Sequence, residues 1–518
     1  WLKFSQIAIQ SPSHSSQEVV SQSSLRKMSS LARPIAGSLK SLSVASSCAR
    51  RFSSTGKNAV SAAHWEEHWT PETLKASSRK HVMATWGPGS GMRDLPLLTH
   101  GEGPYMFDTE GNRYLDWTSQ AICTNLGYTV PPTVLAAVQK QMEALPMVYG
   151  GLGNTEVRIR LAELLSELLP GDLTGFLFPS GGSEANEAAI RIARRYTGRQ
   201  KIINHYRSYH GATAHSLTAT GDFRRGFAEA AGAPVGFVKT MNPTDSHLFS
   251  FGATDEERTS KALGYLEEQI LCEGPNTIAG IMFESVIGSG GVHMAPKGYM
   301  EGVRKLCDKY GIVMICDEVM VGFGRTGKFW GFQNYDVLPD VVTSAKGLTG
   351  AFMPLSMVAT RQHIMDHFET NPLGWGATFH AHPVSLATGY ECVKFMLEND
   401  LVKHAKEVME PVMKEELEKL VSKYSCVARS RVVGGFGCVD LIDPKTQAPV
   451  QNFDGSMCSN PDAVAAFRAA LRQNGLIGFV RPPMFHCAPA LVINEEQLRD
   501  GFQRADRSLQ VLEEKLTA

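Results

Sequence analysis

Between residues 171 and 360 the chain alternates short apolar runs with longer segments of helical period. The runs are "TGFLFPS", "KIINHY", "TIAGIMFES", "GIVMICDE", "PDVVTSA" and "PLSMVAT". A strand covered on both faces reads as a continuous apolar run of this kind. Strands alternating with helices form a mostly parallel sheet with helices on both faces, so an α/β fold is expected. The pattern differs on either side. "GPYMFDTEGNRYLDWTSQ" reads as a hairpin around the turn "DTEGN", and "EVRIRLAELLSELLPG" as an amphipathic helix ending at Pro170 and Gly171. Beyond residue 385 come long charged helices such as "LVKHAKEVMEPVMKEELEKLVSKY" and the Gly-rich strand "VVGGFGCVDL". The expected organisation is a large domain over 126–385, a smaller α+β domain over 386–518, and a segment over 61–125 that joins the small domain.

Composition excludes several function classes. A net charge of -1 argues against nucleic acid or anionic membrane as the main partner, since both call for a basic face. The longest apolar runs fall short of the ~20 residues of a membrane helix. Ten cysteines show no C-x-x-C pair, which argues against a disulfide framework or structural zinc and for a reducing compartment. His205, His210 and His215 recur at an interval that suits neither helical nor strand metal ligation.

The first 60 residues stand apart. From Met28, "MSSLARPIAGSLKSLSVASSCARRFSSTGKN" is rich in Ser, Ala, Leu and Arg and has no acidic residue, as organelle transit peptides are. Cleavage is expected near Phe52-Ser53, after Arg50 and Arg51, with delivery to the mitochondrial matrix. The alternative is a disordered polar tail. Residues 1–27 resemble neither a targeting segment nor a fold and read as an upstream extension.

Open α/β sheets bind ligands beyond the carboxyl ends of their strands. Three such ends carry unusual residues. "FPSGGSEANEAAIRIARRYTG" passes through Gly181 and Gly182 into a helix with the stripe Ala185, Ala189, Ile192, Ala193 and Tyr196. Its first N–H groups, its dipole and the Ser183 hydroxyl can hold a phosphate, although Ser183 can equally be a plain N-cap. "IVMICDEV" delivers Asp317 from an apolar run, where a carboxylate needs a cationic partner. "DVVTSAKGLTGA" delivers Lys346 among small residues, either as a salt-bridge partner or as a nucleophilic amine beside a cofactor.

"GFGRTGKF", residues 322–329, matches G-x-G-x-x-G and nearly matches a phosphate loop. No helical period follows it, and Phe329 stands where the magnesium-binding hydroxyl belongs, so neither nucleotide reading holds.

Phosphate site, carboxylate and lysine together describe pyridoxal 5'-phosphate, which needs an anion cradle, a partner for its ring nitrogen and an amine for its aldehyde. "SGGSEANEAAIRIAR", "YRSYHGAT", "CDEVMVGFGRTGKFWGF", "DVVTSAKGLTGAFMPLSMV" and "GATFHAHPVSLATG" resemble, in order, the motifs of class III pyridoxal-phosphate aminotransferases of fold type I, over about residues 65–518. The resemblance makes Lys346 the covalent lysine and proton carrier, and Asp317 the partner of the ring nitrogen. It gives the phosphate to Gly182 and Ser183, and the two ring faces to Tyr209 and Val319. Thr378 would reach the phosphate of a neighbouring subunit, which makes the enzyme a homodimer or larger homo-oligomer.

Relatives acting on ornithine or 4-aminobutyrate usually carry Arg after "HG" and Gln after "DEV"; Ala212 and Met320 stand there. The pattern is similar to the ω-amino acid:pyruvate branch, which includes β-alanine and taurine transaminases. In that branch Arg481 matches a mobile carboxylate clamp, the alternative being an exposed salt bridge. Trp86 and Tyr149 would line the substrate pocket or belong to the core. Glu284 matches a family glutamate but precedes Ser285 where relatives have Pro, and it is left outside the catalytic set. The expected activity is ping-pong transamination from an ω-amino acid, amine or amino acid to a 2-oxo acid such as pyruvate or glyoxylate. A same-fold mutase, racemase or decarboxylase is the alternative, and a non-catalytic scaffold a third reading.

Overall fold

The computed structural model describes residues 69–92, 95–245, 249–450, 460–481 and 483–518, so the transit segment expected near the N-terminus lies outside the described residues. Seven strands form the central sheet in the order Leu173–Leu177, Met357–Arg361, Val341–Ser344, Val313–Asp317, Ile278–Glu284, Lys201–His205, Phe237–Thr240. Met357–Arg361 runs antiparallel to both neighbours, and the other pairs are parallel. All six runs picked out in sequence are strands of this α/β sheet. The seventh, Phe237–Thr240, is a short edge strand interrupted by Lys239, whose amine donates to Thr218 O and Ala219 O at 2.7 and 2.9 Å.

Residues one apart in the strands enter different cores, as the two-residue repeat requires. Ile202, Met282, Val313, Ile315, Val341 and Val358 pack with Ala185, Ala188, Ala189 and Ile192 of the helix Gly182–Thr197. Ile203, Ile281, Phe283, Met314, Cys316, Val342 and Met357 join the larger core on the opposite face. Small residues along the helix let its backbone lie close to the sheet, and Gly198, at φ +69°, ends it in a left-handed cap.

The N-terminal hairpin pairs Tyr105–Asp108 with Arg113–Asp116, and Asp108 Oδ1 fixes its turn by accepting from Glu110 N and Asn112 N at 2.9 Å. Arg113–Asp116 then pairs in parallel with Leu476–Ile477, close to the C-terminus. A second sheet contains Val427–Val433, Phe436–Leu441, Met484–Cys487 and Val480–Arg481. "VVGGFGCVDL" is therefore not one strand: Gly434, at φ +56°, turns the chain between two. A Cβ on Gly434 would lie 2.2 Å from the Thr326 carbonyl carbon, so the turn rests directly on backbone of "GFGRTG". The charged helix over 401–423 widens to a π-turn at Ala405–Met409, just before Pro411 removes an N–H donor. No helix among the described residues is long and apolar enough to cross a membrane.

Candidate active site

The carboxyl end of the sheet opens on a cavity of about 380 Å³, within the ~300–1,000 Å³ usual for small-molecule sites. Asp317, 3% exposed, closes its strand level with Glu284 on one side and Thr343 on the other. Its Oδ2 accepts from Asn186 Nδ2 and His210 Nδ1, both at 2.8 Å, and its Oδ1 from Val319 N at 3.0 Å. Asn186 is fixed in turn, accepting from Thr343 Oγ1 at 2.7 Å and donating to His210 O at 2.6 Å. The carboxylate is aimed before any ligand arrives.

Lys346 follows the strand Val341–Ser344 and begins the single turn Lys346–Leu348 at φ +43°. A positive φ is uncommon for a residue with a side chain, and such strain clusters at functional sites. No carboxylate pairs with Lys346 among the described residues, so its amine is not a salt-bridge partner there. Burial pushes this amine down to about 8, with Cys123 and Asp317 opposing the shift. An amine with a lowered pKa is a nucleophile near neutral pH.

Gly181, not Ser183, caps the helix Gly182–Thr197, which removes the N-cap reading of Ser183. The Ser183 hydroxyl instead accepts from Ala212 N at 3.0 Å. The N–H groups of Gly182 and Ser183 open the helix and have no intrahelical acceptor by position. Nothing lies within 4 Å of where a Gly181 Cβ would sit, whereas one on Gly182 would stand 2.6 Å from Val319. A helix start with space beside it is a fitting anion cradle.

Tyr209, held by its N–H to Glu284 Oε1 at 2.8 Å, presents its ring at the cavity with Trp86 edge-on at 6.3 Å. The other Glu284 oxygen accepts from Gly288 N at 2.9 Å, and burial lifts this carboxyl to about 7. Ser285 hydrogen-bonds to Glu318, so the residue in place of the relatives' Pro buries its hydroxyl usefully. At the far end stands Arg481, its guanidinium 4.6 Å from the Phe479 ring and without a carboxylate partner among the described residues.

Eight residues singled out in sequence line this one cavity: Trp86, Gly182, Ser183, Tyr209, Asp317, Val319, Lys346 and Arg481. Tyr149 and Thr378 do not, and both are exposed. Sequence reasoning missed Asn186, His210 and Arg224. Asn186 carried a legible signal, a polar residue inside an apolar helix stripe; His210 and Arg224 depend on partners distant in sequence. The three regularly spaced histidines go separate ways, His205 onto Phe283, His210 onto Asp317 and His215 onto Glu187. "GFGRTG" is a tight loop whose Arg325 is fully buried, donating to Gly435 O, Pro489 O and Asn125 Oδ1 at 2.7–2.9 Å. A wider cleft of about 620 Å³ lies beside the N-terminal hairpin, but no central strand ends there, and its Lys75 already pairs with Glu110.

An anion cradle, an aimed carboxylate and an unpaired amine around one cavity fit pyridoxal 5'-phosphate, and they define an enzyme dependent on that cofactor. The chain belongs to the class-III aminotransferase family, whose model matches residues 90–509. It is similar to the taurine:2-oxoglutarate aminotransferase of Bifidobacterium kashiwanohense, at 37% identity and TM-score 0.81 over 87% of this chain and all of that one. An (S)-enantioselective ω-transaminase from Thermomicrobium roseum is 32% identical, with TM-score 0.80 over 86% of this chain and all of that one. Gamma-aminobutyrate transaminase 1, mitochondrial, of Oryza sativa subsp. japonica is 30% identical over 81% of this chain and 82% of its own length.

Proposed function

We propose that this aminotransferase takes its amino group from an acid-ended ω-amino donor and passes it to a 2-oxo acid. One observation carries the reading: the Lys346 amine, paired with no carboxylate among the described residues, opens into the same cavity as the triply held Asp317 and as Arg481, which likewise has no carboxylate partner among the described residues. The bound cofactor supplies an electron sink. Lys346 Nζ would hold its carbonyl carbon and then carry the proton that moves during transfer. Asp317 would keep the ring nitrogen protonated. Gly182 and Ser183 would hold the phosphate, and Tyr209 and Val319 the two faces of the ring. Arg481 and Trp86 would read the substrate from within the cavity, with Arg481 gripping a carboxylate or swinging aside, whereas Tyr149, exposed outside it, would do so only at the cavity of a second copy.

The neighbour named for taurine supports an acid-ended donor, and relatives named as transaminases count against a mutase or decarboxylase. Pyruvate and glyoxylate are the first acceptors to assay, with 2-oxoglutarate beside them. A panel of ¹⁵N-labelled donors with each acceptor tests the reading. Label should appear on the oxo acid; donor consumed without transfer would overturn it.

Thr378 would complete the phosphate site of a second copy. The exposed Thr378 lies next to exposed Phe379, and Leu135, Tyr149, Leu152 and Ile159 are exposed as well, large apolar side chains of the kind an obligate dimer covers. A fully active monomer in sedimentation would refute this. The helix Pro383–Glu398 is continuous, so we place the start of the small domain at Asn399–Asp400, where φ turns to +50°; limited proteolysis cutting first within 383–398 would oppose that boundary. Delivery to mitochondria rests on the acid-free stretch after Met28 and on the name of the rice relative. A mature N-terminus near Ser53 by mass spectrometry is expected, and one that retains Met28 would contradict it.

A further inference from the structure

A separate groove of about 480 Å³ lies along the outer side of the helix Gly182–Thr197. That helix turns Ala185, Ala189, Ile192 and Ala193 onto the sheet. Glu187, Arg191, Arg194 and Arg195 stand at i, i+4, i+7 and i+8, which gathers them on another face. Opposite them runs the segment 372–374, part of the loop that leads to Thr378.

A Glu four residues ahead of an Arg is the favoured order for an ion pair on a helix surface. Among the described residues Glu187 and Arg191 make no such pair, because the carboxylate is taken elsewhere. Its Oε1 accepts from Thr213 Oγ1, His215 N and Ser216 N at 2.6, 2.8 and 3.2 Å, and its Oε2 pairs with His215 Nδ1 at 2.9 Å. Glu187 thus holds the start of the helix Ala214–Ala219. Arg191 donates through Nη1 to Gly374 O, and Arg195 through Nη2 to Pro372 O at 3.1 Å. Each keeps Nε and its other amino group without a protein acceptor among the described residues. Arg194 donates from Nε to Gln200 O at 2.8 Å and lies 5.1 Å from the centre of the Phe237 ring. None of the three arginines pairs with a carboxylate among the described residues.

Fold stability does not call for this arrangement. Arg191 and Arg195 are like charges at i, i+4, which oppose each other on a helix surface. The helix dipole favours Arg194 and Arg195 in the last turn, but not Arg191, about one and a half turns before the end. Leu373 and Trp375 already pack the loop against the smaller core, so it is anchored without the guanidiniums. Three cations therefore face one committed carboxylate around a groove with room for a ligand. A guanidinium fork fits two oxygens of a phosphoryl group. Two forks one turn apart, roughly 5–6 Å between their Cβ atoms, match two linked phosphoryl groups better than one.

We infer that this groove is a second anion site, about 12 Å along the helix from Ser183 and outside the catalytic cavity, and that it takes a diphosphate group, free or on a nucleotide. The inference does not rest on the transaminase reading.

Enzyme loaded with pyridoxal phosphate, so that the cradle at Gly182 and Ser183 is filled, should bind inorganic pyrophosphate in calorimetric titration at one site per chain. Amide hydrogen exchange should slow over 371–375 and stay unchanged over 181–184. Arg191→Gln combined with Arg195→Gln should weaken binding by about ten- to a hundred-fold, as the loss of charge-assisted bonds does. Glu187→Gln keeps an acceptor for Thr213 and His215 and removes the opposing charge, so it should tighten binding several-fold. It also tests the groove if the double variant does not fold. ADP bound as well as pyrophosphate or better would assign the site to nucleotides, and pyrophosphate bound without ADP would assign it to the free ion. AMP bound as tightly as ADP would overturn the diphosphate assignment. No binding at about 1 mM pyrophosphate, or slowed exchange over 181–184 instead, would overturn the site. So would binding that both variants leave unchanged, and the arginines would then be ties for the loop alone.

Discussion

The two ends of the cavity are built on opposite principles. At one end Asp317 accepts three hydrogen bonds at 2.8–3.0 Å, and the groups that donate them are themselves tethered. At the other, Arg481 is restrained by a ring face and has no carboxylate among the described residues. A rigid end suits a partner that never changes, because the cost of ordering is met during folding rather than on binding. A loosely held cation suits partners that alternate, since donor and acceptor must occupy one place in turn.

The largest effect that would break this contrast lies at the rigid end. Lys346→Ala should lower turnover by at least about 10²- to 10⁴-fold, the usual worth of a positioned proton carrier. Its thermal unfolding should stay close to wild type, because the amine makes no ion pair among the described residues. Turnover above a tenth of normal would show that the chemistry uses another group.

A smaller and selective loss is expected at the Arg481 end. Arg481→Ala should slow the half-reaction with a 2-oxo acid by about ten- to a hundred-fold, the worth of a charge-assisted pair of about 1.5–3 kcal/mol. Donors without an acidic group should lose much less. Single-turnover rates for each half separate these outcomes, and equal losses would place Arg481 among the fixed parts.

The mildest test is one of pH. The Lys346 amine, shifted down from 10.5 to about 8 mainly by burial, is protonated and unreactive below that value. Capture of pyridoxal phosphate by apoenzyme should therefore rise by up to about ten-fold per pH unit below 8 and level off above it. Absorbance at a series of pH values follows this directly. A rise that continued past pH 10 would mean the amine keeps its ordinary basicity.

Sequence reading succeeded where a single local pattern determined the outcome. Six strands were legible because sheet interiors on both faces demand unbroken apolar runs, and Asp317 and Lys346 because a charge ending such a run is conspicuous. The edge strand Phe237–Thr240 was not legible, since one side of an edge needs no such run and Lys239 broke it. Gly434 and Gly435 were read through as part of one strand because the turn they make is required by contact with Thr326, which no local pattern records. Asn186 and His210 escaped for the same reason. Each bonds to Asp317, more than 100 positions further along the chain.

The contact beneath Gly434 has a mechanical meaning. The sheet that carries Arg481 touches the loop beyond the Asp317 strand backbone to backbone, with no side chain between them to compress. The turn and the loop are also tied in both directions beside it, Gly435 N donating to Arg325 O and Arg325 Nη1 to Gly435 O, both at 2.9 Å. The sheet that carries Arg481 is thereby keyed to the loop that follows Asp317, and a bulkier residue at Gly434 would have to push the two apart.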